Sequence, residues 1–377
     1  MHILIAPNAF KHSLDATDVA KAIREGLQQS KLKCTCECCP VGDGGDGTAA
    51  LLIQKCGGTI VPVEVHDPLG RKIRAGFGLI ENGRTAVIEM ADASGLRLLR
   101  REEFDPLRAN TFGTGELIKC ALDQGVEKII IGIGGSATVD GATGILQALG
   151  VRFLDAAGNI LSDLPESLTH LESVDLSGLD QRIRHCPLTV LCDVENSLLG
   201  ETGAAKVFGP QKGASAPTIQ KLEAALTKLR DIMFQQTGRD LAAIKHGGAA
   251  GGVAASLQGF LNAKLVKGID YFLEVAGFED ALQKADLVIT GEGCMDEQTL
   301  RGKGPWGVAL RALKKNIPVI GVAGRVSPAA EAPLRQYFVQ LLAISPASID
   351  LDEALKNTAP ALRQTARELG NRLARKK

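Results

Sequence analysis

The residues of this chain that could do chemistry are charged side chains and glycines that follow short apolar runs. The most informative segment spans residues 286–303, with the sequence DLVITGEGCMDEQTLRGK. Residues 286–290 read as a buried parallel strand, and Gly291-Glu292-Gly293 predicts a sharp backbone turn close to a ligand. Asp296 and Lys303 follow in the same loop. Ligands of open α/β sheets bind beyond the carboxyl ends of the strands, so these charges are placed to meet a substrate; a solvated loop is the alternative.

Two loops near the start of the chain have the same character. The first apolar strand is followed by Asn8, Lys11 and Ser13, where a helix begins and an anion could be received. A second strand, residues 34–41, ends in GDGGDGT at residues 42–48. So many glycines weaken a fold unless the backbone must approach a ligand, and this favours ligand contact over a plain tight turn.

Further along the chain, an apolar strand at residues 128–133 leads into Gly134-Gly135-Ser136 and then a helix. A strand, a loop of glycines and hydroxyls, and a helix together can cradle phosphate with backbone N–H groups. No Gly-Lys-Ser or Gly-Lys-Thr follows, so this loop is not a Walker A motif. Asp193 follows the strand at residues 188–192, and Lys212 lies in the segment VFGPQKGA.

These loops together offer the groups that phosphoryl transfer needs. That reaction uses cations and amides for phosphate oxygens, carboxylates for Mg²⁺ and a carboxylate near the attacking hydroxyl. The carboxylates are Asp43, Asp46, Asp140, Asp193, Glu292 and Asp296, and the cations are Lys11, Lys212 and Lys303. No Cys–His or Ser–His pair stands out, which argues against covalent acyl transfer. A cleft between two domains would exclude water and so protect ATP from hydrolysis.

The apolar pattern predicts an α/β fold of two α/β domains. Five strands, two early and three late, fit a flavodoxin-like parallel sheet of order 2-1-3-4-5. Near residues 59–90 the period changes to two, and Asn82-Gly83 between apolar runs predicts a hairpin. We therefore predict a flavodoxin-like domain of residues 1–60 and 283–377, whose last helices lie at residues 350–377. Residues 61–282 form an inserted, mixed-sheet α/β domain.

Composition places the chain among ordinary globular proteins. Its 377 residues carry 43 basic and 43 acidic side chains and are 4% aromatic, which favours neither nucleic-acid nor membrane binding. No apolar run approaches membrane-spanning length, and the first residues read as a strand, so we expect a cytoplasmic protein. Nine cysteines without zinc-site spacing indicate reduced structural thiols. The sequence leaves open whether the protein forms a homo-oligomer.

Several motifs, in order along the chain, resemble those of one enzyme family. They are IAPNAFKHSL, VGDGGDGT, GTGELI, IIIGIGGSAT, VFGPQKGA, GAAGG and the segment TGEGCMDEQTLRGK. The chain resembles the class I glycerate kinases, the bacterial enzymes that phosphorylate D-glycerate with ATP, essentially from end to end. The resemblance implies two α/β domains, the middle one inserted into the flavodoxin-like one. It also implies Mg-ATP as phosphoryl donor and 2-phosphoglycerate as product.

The chain departs from the family pattern at several places, and two of these departures change polar or charged groups in loops of the candidate site. Asn8-Ala9 stands where the family pattern IAPDSFKGSL has Asp-Ser, which removes a carboxylate from that loop. Cys294-Met295 replaces an Arg-Ile pair and loses a cation. Neither change removes a charged residue to which we assign a role.

Residue type and loop position suggest the roles. We expect Asp193 or Asp296 to orient the substrate hydroxyl, and Asp43 and Glu292 to bind Mg²⁺. Lys11, Lys212 and Lys303 would contact phosphate or the glycerate carboxylate. The backbone of two loops would hold phosphates, through Gly44, Gly45, Gly134, Gly135 and Ser136.

Other readings of the same residues stay open. The kinase could form 3-phosphoglycerate instead. A non-catalytic sensor that binds a sugar acid or nucleotide between two domains would share the glycine loops. A Mg²⁺-dependent phosphatase on a similar α/β architecture would release phosphate without ATP.

Overall fold

Strands and helices alternate along most of the chain, as the apolar runs predict. The structure is a computed structural model and describes residues 1–346 and 349–375. The strands are β1 (His2–Ile5), β2 (Thr35–Cys38), β3 (Thr59–His66), β4 (Lys72–Ile80), β5 (Thr85–Glu89), β6 (Lys128–Gly132), β7 (Arg152–Leu154), β8 (Ser173–Asp175), β9 (Leu188–Leu191), β10 (Lys264–Val266), β11 (Leu287–Met295), β12 (Val319–Val326) and β13 (Gln340–Ala343).

The helices cover the intervening segments. The α-helices are α1 (Ala16–Gln28), α2 (Thr48–Lys55), α3 (Ala91–Ser94), α4 (Phe112–Asp123), α5 (Thr143–Ala148), α6 (Ala204–Phe208), α7 (Ala216–Thr237), α8 (Ala249–Leu261), α9 (Gly268–Val275), α10 (Phe278–Leu282), α11 (Gly304–Lys314), α12 (Pro328–Leu334), α13 (Leu351–Lys356) and α14 (Thr358–Arg375). Short 3-10 helices cover Leu96–Leu98, Arg101–Glu103, Glu166–His170, Gln181–Arg184, Pro210–Lys212, Leu241–Ala243 and Thr299–Arg301.

The chain divides into two compact units. Unit 1 contains Met1–Asp43 and Ile269–Lys377, and unit 2 contains Gly44–Gly268. The unit boundaries lie N-terminal to the domain boundaries predicted at residues 60 and 282. Helix α2 belongs to unit 2 because it packs against β4 and β5. The predicted domain limits stay a prediction, and residues 376 and 377 of the predicted last helix lie outside the described residues.

Unit 1 is built on a five-stranded parallel sheet. Its strand order is β13-β12-β11-β1-β2, which confirms the predicted order 2-1-3-4-5. Helices α1 and α14 pack together on one face, where Ile23 and Leu27 of α1 meet Leu362 and Leu369 of α14 in one core with the strands. Both helices present apolar residues at helical spacing. Burial of these residues against the strands stabilises the sheet and thereby fixes the ends of the strands, from which the loops start.

One local prediction for this sheet is wrong. The sequence predicts that the strand ends at residue 290 and that Gly291-Glu292-Gly293 turns sharply, but β11 continues to Met295. A Cβ on Gly291 would lie 1.7 Å from the carbonyl oxygen of Val322 on the paired strand β12. Glycine is therefore needed here for close strand contact and not for a turn, and Glu292 is held on a strand.

Unit 2 contains a mixed six-stranded sheet of order β10-β9-β6-β5-β4-β3. Strands β3, β4 and β5 pair antiparallel, as the Asn82-Gly83 signal predicts, and β5, β6, β9 and β10 pair parallel. A separate pair, β7 and β8, is antiparallel. The predicted α/β class, a parallel sheet with an inserted mixed-sheet segment, is thus confirmed.

The core of unit 2 explains the long apolar strands of the middle of the chain. Ile129 and Ile131 of β6 are buried together with residues of α4, α5, α7 and α8. A strand covered on both faces needs apolar residues at nearly every position, which β6 has. Within residues 1–346 and 349–375, no helix is both long and apolar enough to cross a membrane.

Candidate active site

Lys212 is the most unusual residue of the candidate site. It belongs to the 3-10 turn Pro210–Lys212 of unit 2, and only 2% of it is exposed. Its Nζ donates hydrogen bonds to Ser136 Oγ at 2.8 Å and to the carbonyl oxygen of Thr138 at 2.7 Å. Burial lowers the pKa of Lys212 to about 7, although the Asp140 carboxylate opposes this shift. An ammonium held by two neutral oxygens is poised to accept an anion.

Asp140 organises the loop that Lys212 contacts. Its buried carboxylate accepts hydrogen bonds from the N–H and the hydroxyl of Thr111, at 2.9 and 2.7 Å, and from the N–H groups of Ala142 and Gly144. These bonds hold the segment between β6 and α5 in one conformation. Asp140 therefore has a structural role, because both of its carboxylate oxygens accept hydrogen bonds from the protein itself.

The two glycine-rich loops of unit 2 lie against each other. The N–H of Gly134 donates to the carbonyl oxygen of Gly44 at 3.1 Å, and the N–H of Gly44 donates to Thr48 Oγ1 at 3.0 Å. A Cβ on Gly134 would lie 2.5 Å from the Cα of Gly45. The glycines thus serve close backbone packing, and the N–H groups of Gly44 and Gly134 are already used within the protein.

Two other residues of these loops keep backbone donors that are not used by the backbone of the described residues. Within the described parts of the chain, the N–H groups of Gly135 and Ser136 donate to no backbone acceptor. Gly135 has a φ of +68° and is exposed, and Ser136 also accepts the hydrogen bond from Lys212. Of the five predicted phosphate-binding loop residues, these two retain the donors that the prediction requires.

Asp193 lies beside the same loops. It follows β9, and its Oδ1 accepts a hydrogen bond of 2.9 Å from the N–H of Gly268. A Cβ on Gly44 would lie 3.3 Å from Asp193 Oδ2. Within unit 2, Asp193 thus lies near Gly44, Gly44 near Gly134, and Lys212 at Ser136 of the same loop as Gly134.

Glu89 is a residue that the sequence analysis missed. It ends β5, is 4% exposed, and accepts hydrogen bonds from the N–H groups of Gly47 at 2.6 Å and Ala49 at 3.2 Å. Burial raises its pKa to about 7, and the nearby carboxylates Asp92 and Asp46 add to the shift. The only signal in the sequence is a lone acidic residue at the end of the apolar run TAVIEM.

The predicted residues of unit 1 gather around Glu292. Only 7% of Glu292 is exposed, and its Oε1 accepts a hydrogen bond of 2.7 Å from Thr299 Oγ1. Lys303 Nζ lies 4.0 Å from its Oε2. Burial raises the pKa of Glu292 to about 7; Lys303 and Thr299 oppose the shift, and the carboxylates of Asp43 and Asp296 add to it. Thr299 is a second contact that sequence reasoning missed.

Asp43 and Asp296 have different surroundings within this cluster. Asp43 Oδ2 accepts a hydrogen bond of 2.7 Å from the side-chain amide of Asn8, so the departure from the family's Asp at position 8 places a donor beside Asp43. Asp296 Oδ1 instead accepts from the N–H groups of Gln298 at 2.8 Å and Thr299 at 3.3 Å. Asp296 thus caps its own turn.

Lys11 is placed less closely than the other predicted residues. Its side chain is exposed, and its backbone N lies 3.4 Å from the position of a Cβ on Gly293. The loop that carries Lys11 therefore lies along β11 near Glu292. No group of three or more His, Cys, Asp or Glu side chains that could hold a metal ion occurs in residues 1–346 and 349–375.

Comparison with known proteins assigns the chain to a family. The model of the glycerate kinase family matches residues 3–374. The chain belongs to this family. A glycerate kinase of Bacillus subtilis (strain 168) is 45% identical to this kinase over 98% of its chain and 97% of the relative. The glycerate 2-kinase of Escherichia coli (strain K12) is 40% identical over 99% of the chain and 98% of the relative.

A solved structure agrees with the family assignment. The crystal structure of a candidate glycerate kinase 2 from Salmonella typhimurium LT2 matches this kinase with a TM-score of 0.84 at 43% identity. The match covers 100% of this chain and 99% of that one. The resemblance found in the motifs is thus confirmed over the whole length, and the chain is a kinase.

Proposed function

We propose that this kinase transfers the γ-phosphoryl group of ATP to D-glycerate and forms 2-phosphoglycerate, with Mg²⁺ as cofactor. Its membership of the glycerate kinase family supports the acceptor, and its 40% identity to a glycerate 2-kinase supports the 2-hydroxyl as the site of transfer. The structural observation that carries the proposal is the buried ammonium of Lys212 beside Ser136.

Lys212 would stabilise the charge that develops on the transferred phosphoryl group. In this reaction the protein contributes mainly positioning and electrostatic stabilisation. A cation fixed in advance in a poorly hydrated site interacts strongly with such charge, because no solvent must reorganise. An incoming phosphate would also return the lowered pKa of Lys212 toward its ordinary range, so binding and protonation favour each other.

The carboxylates of unit 1 fit a divalent cation. Mg²⁺ is usually held by one or two carboxylates together with water and substrate phosphates. Burial raises the pKa of Glu292, and the like charges of Asp43 and Asp296 add to this shift, a cost that a cation would offset. Asp43 and Glu292 would hold the ion, which when bound supplies positive charge to phosphate oxygens. Lys303 would contact the same phosphates, and Lys11, with its exposed side chain, would contact phosphate or the glycerate carboxylate.

Asp193 is the better candidate for orienting the substrate hydroxyl. Its carboxylate lies beside Gly44, next to the loops where phosphates would bind, and Gly268 fixes one of its oxygens. Asp296 is the weaker candidate because it caps its own turn. The proposal needs groups from both units to act on the same pair of substrates, and the cleft that the sequence suggests stays a prediction.

One assay tests the proposed reaction. ADP formation by the purified enzyme is measured with ATP and MgCl₂, with and without D-glycerate, and again with excess EDTA. We expect ADP only when D-glycerate and Mg²⁺ are both present. Coupling the product directly to enolase, without a mutase, then reports 2-phosphoglycerate but not 3-phosphoglycerate.

Each alternative gives a different result when phosphate release from a phosphorylated acid and thermal stability are measured beside ADP formation. A phosphatase would release inorganic phosphate from phosphorylated acids without ATP, and a sensor would show ligand-induced stabilisation with no turnover. ADP formation that the enolase coupling does not detect would assign transfer to the 3-hydroxyl. Any of these results would contradict the proposal.

A further inference from the structure

Unit 2 contains a cavity that none of the roles above uses. It has a volume of about 180 Å³ and lies between helix α2 and the outer strands β3, β4 and β5. We call it the α2 cavity. Pockets for complete drug-sized ligands occupy roughly 300–1,000 Å³, so the α2 cavity suits a part of such a ligand, one ring system and the group attached to it.

Strand β4 contributes two glycines to the floor of the α2 cavity. Gly78 pairs with Ile60 on β3 and with Val87 on β5, and Gly76 lies two residues along β4 on the same face. A Cβ on Gly78 would lie 2.2 Å from Cδ1 of Ile53, so glycine here lets the Ile53 side chain of α2 pack directly on the strand. Ile60 and Val87, on the two flanking strands, also line the cavity, and we call this apolar part the trough.

Apolar side chains form the walls of the α2 cavity. Ala50 and Ile53 of α2 cover one side, and Ala50 is exposed at the mouth. Ile60 is 67% exposed, which is unusual for isoleucine, and forms part of the rim. A flat apolar ring entering the trough would remove these surfaces from water.

The end of the α2 cavity beyond Val87 is polar. Glu89 follows two residues along β5, and Asp92 and Arg97 line the same end, where they form an ion pair. Gly47 and Ala49 use two acceptor positions of the Glu89 carboxylate, which has about four in total. Acceptors therefore remain for donors on a ligand, and hydroxyl groups are suitable donors.

This polar end adjoins the loops proposed to bind phosphate. Gly47, which lines the cavity, belongs to the glycine-rich loop of residues 42–48, as does Gly44. Glu89 pairs with Gly132 on β6, and a Cβ on Gly132 would lie 3.5 Å from the carbonyl oxygen of Gly44. A ligand with its ring in the trough can thus direct its far end toward the glycine loops within the same unit.

We propose that the α2 cavity binds the nucleoside of the phosphoryl donor, with the base in the apolar trough and the ribose hydroxyls at Glu89 and Asp92. This inference rests on the proposed function, because that function supplies a nucleoside triphosphate. D-glycerate does not suit the cavity, since its carboxylate would meet two acidic side chains and only one arginine. A neutral, flat and hydroxylated group meets no such repulsion.

Two variants of helix α2 test the proposal. Ala50→Phe places a ring in the mouth of the α2 cavity, and Lys55→Phe adds the same ring at an exposed residue of the same helix that does not line the cavity. ADP affinity is measured by calorimetry, and KM is measured for ATP and for D-glycerate. We expect Ala50→Phe to weaken ADP binding and raise the KM for ATP by at least about tenfold, with KM for D-glycerate unchanged. Lys55→Phe should match the wild type.

A second comparison tests the ribose contacts. 2′,3′-Dideoxy-ATP lacks the hydroxyl groups assigned to Glu89 and Asp92, so the wild type should have a KM for it about tenfold above that for ATP. Asp92→Asn should reduce this ratio, whereas a role in folding alone would leave it unchanged. Equal KM values for the two nucleotides in the wild type would overturn the ribose assignment.

The outcomes separate this proposal from the proposed function. Normal ADP binding by Ala50→Phe, in protein with an unchanged melting temperature, overturns the α2 cavity assignment whether or not D-glycerate is phosphorylated. A raised KM for D-glycerate alone would assign the cavity to the acid and overturn it too. Tight ADP binding that Ala50→Phe abolishes, without turnover of D-glycerate, would support the cavity and contradict only the proposed function.

Discussion

Lys212 combines two properties that favour stabilisation of a transferred phosphoryl group, a positive charge and exclusion from water. Its hydrogen bonds to Ser136 and Thr138 fix it against the loop after β6. A buried lysine is costly to retain in a fold, because its charge is desolvated without a paired carboxylate at hydrogen-bond distance. A role in the reaction is the simplest reason for the protein to keep a buried lysine, and single substitutions can test that role.

Lys212→Ala should lower kcat by about 10²–10³, because it removes one fixed electrostatic contact to the reacting group. The matched control is Lys206→Ala, which removes an exposed lysine paired with Glu201 and should leave kcat unchanged. Steady-state kinetics with saturating ATP and D-glycerate measure both. Near-normal turnover by Lys212→Ala would remove this residue from the reaction.

The roles of the two candidate aspartates are separated by paired amide substitutions. Asp193→Asn should lower kcat by about 10²–10⁴, the usual contribution of a positioned acid or base. Asp296→Asn should change kcat much less, because an asparagine Oδ1 can still cap the turn at Gln298 and Thr299. If the larger loss follows Asp296→Asn, the two assignments must be exchanged.

The lowered pKa of Lys212 also predicts a pH dependence of stability. From about pH 7 up to the ordinary range of lysine, the unfolded chain binds a proton at this residue that the folded chain lacks. The free energy of unfolding should therefore rise with pH across that window. Urea unfolding of the wild type and Lys212→Met at about pH 6.5 and about pH 8.5 measures the effect. We expect the free energy of unfolding of the wild type to increase with pH relative to that of the variant. A difference between the two proteins that does not change with pH would contradict the lowered pKa.

At the scale of elements, helix α8 contains an irregular first turn that supports the candidate site. Ala250, Gly251 and Gly252 have left-handed backbone angles, with φ of 53°, 70° and 93°. The carbonyl oxygen of Gly251 accepts a hydrogen bond of 3.0 Å from the N–H of Gly141, beside Asp140. A Cβ on Gly251 would lie 2.2 Å from the carbonyl oxygen of Thr138, which also binds Lys212. The turn therefore packs on the loop that carries the lysine's acceptors.

Replacing alanine by glycine should affect the stability of the protein differently at two positions of α8. Ala250→Gly removes left-handed strain of roughly 1–2 kcal/mol and adds an entropic cost of about 0.4–1 kcal/mol, so stability should be unchanged or rise by up to about 1.6 kcal/mol. Ala254→Gly, at a buried and regular position of the same helix, should destabilise by at least about 0.5–1 kcal/mol. Thermal unfolding measures both, and equal losses would contradict a strained turn at Ala250.

At the scale of the whole molecule, each unit has its own core. The large apolar cluster of unit 2 runs from β3 to α8, and unit 1 has a separate cluster around β1, α1 and α14. The unit boundary at Gly44 keeps α2 with the sheet on which Leu52 and Ile53 are buried. The boundary at Gly268 leaves Ile269 with Gly307 of α11, with which it is in close contact.

This division predicts which fragment folds. A chain of Gly44–Gly268 should unfold cooperatively, because it retains α2 and all strands of the mixed sheet. A chain of residues 61–282 loses two buried aliphatic side chains of α2, worth roughly 3–6 kcal/mol, and exposes Ile269. Urea unfolding followed by circular dichroism compares the two. Equal stability would favour the boundary predicted at residue 60 over the one at residue 43.

Local patterns in the sequence predicted most of the fold. The order of the parallel sheet and the hairpin at Asn82-Gly83 followed from apolar periodicity and turn chemistry, which depend on near neighbours in the chain. The extension of β11 through Gly291 did not, because it depends on the carbonyl oxygen of Val322 on the next strand. The sequence alone does not distinguish a glycine that forms a turn from a glycine that allows two strands to come close.

The sequence by itself determined the family, the α/β class, and which loops carry the charged and glycine residues, because motifs and periodicity are local. Only the tertiary structure decided that Lys212 is buried against Ser136, that Glu89 joins the glycine loop, and that Asp296 caps its own turn. Burial and hydrogen-bond partners arise from residues far apart in the chain. They set the charge and the pKa of each group, and so decide which of several similar residues can take part in the chemistry.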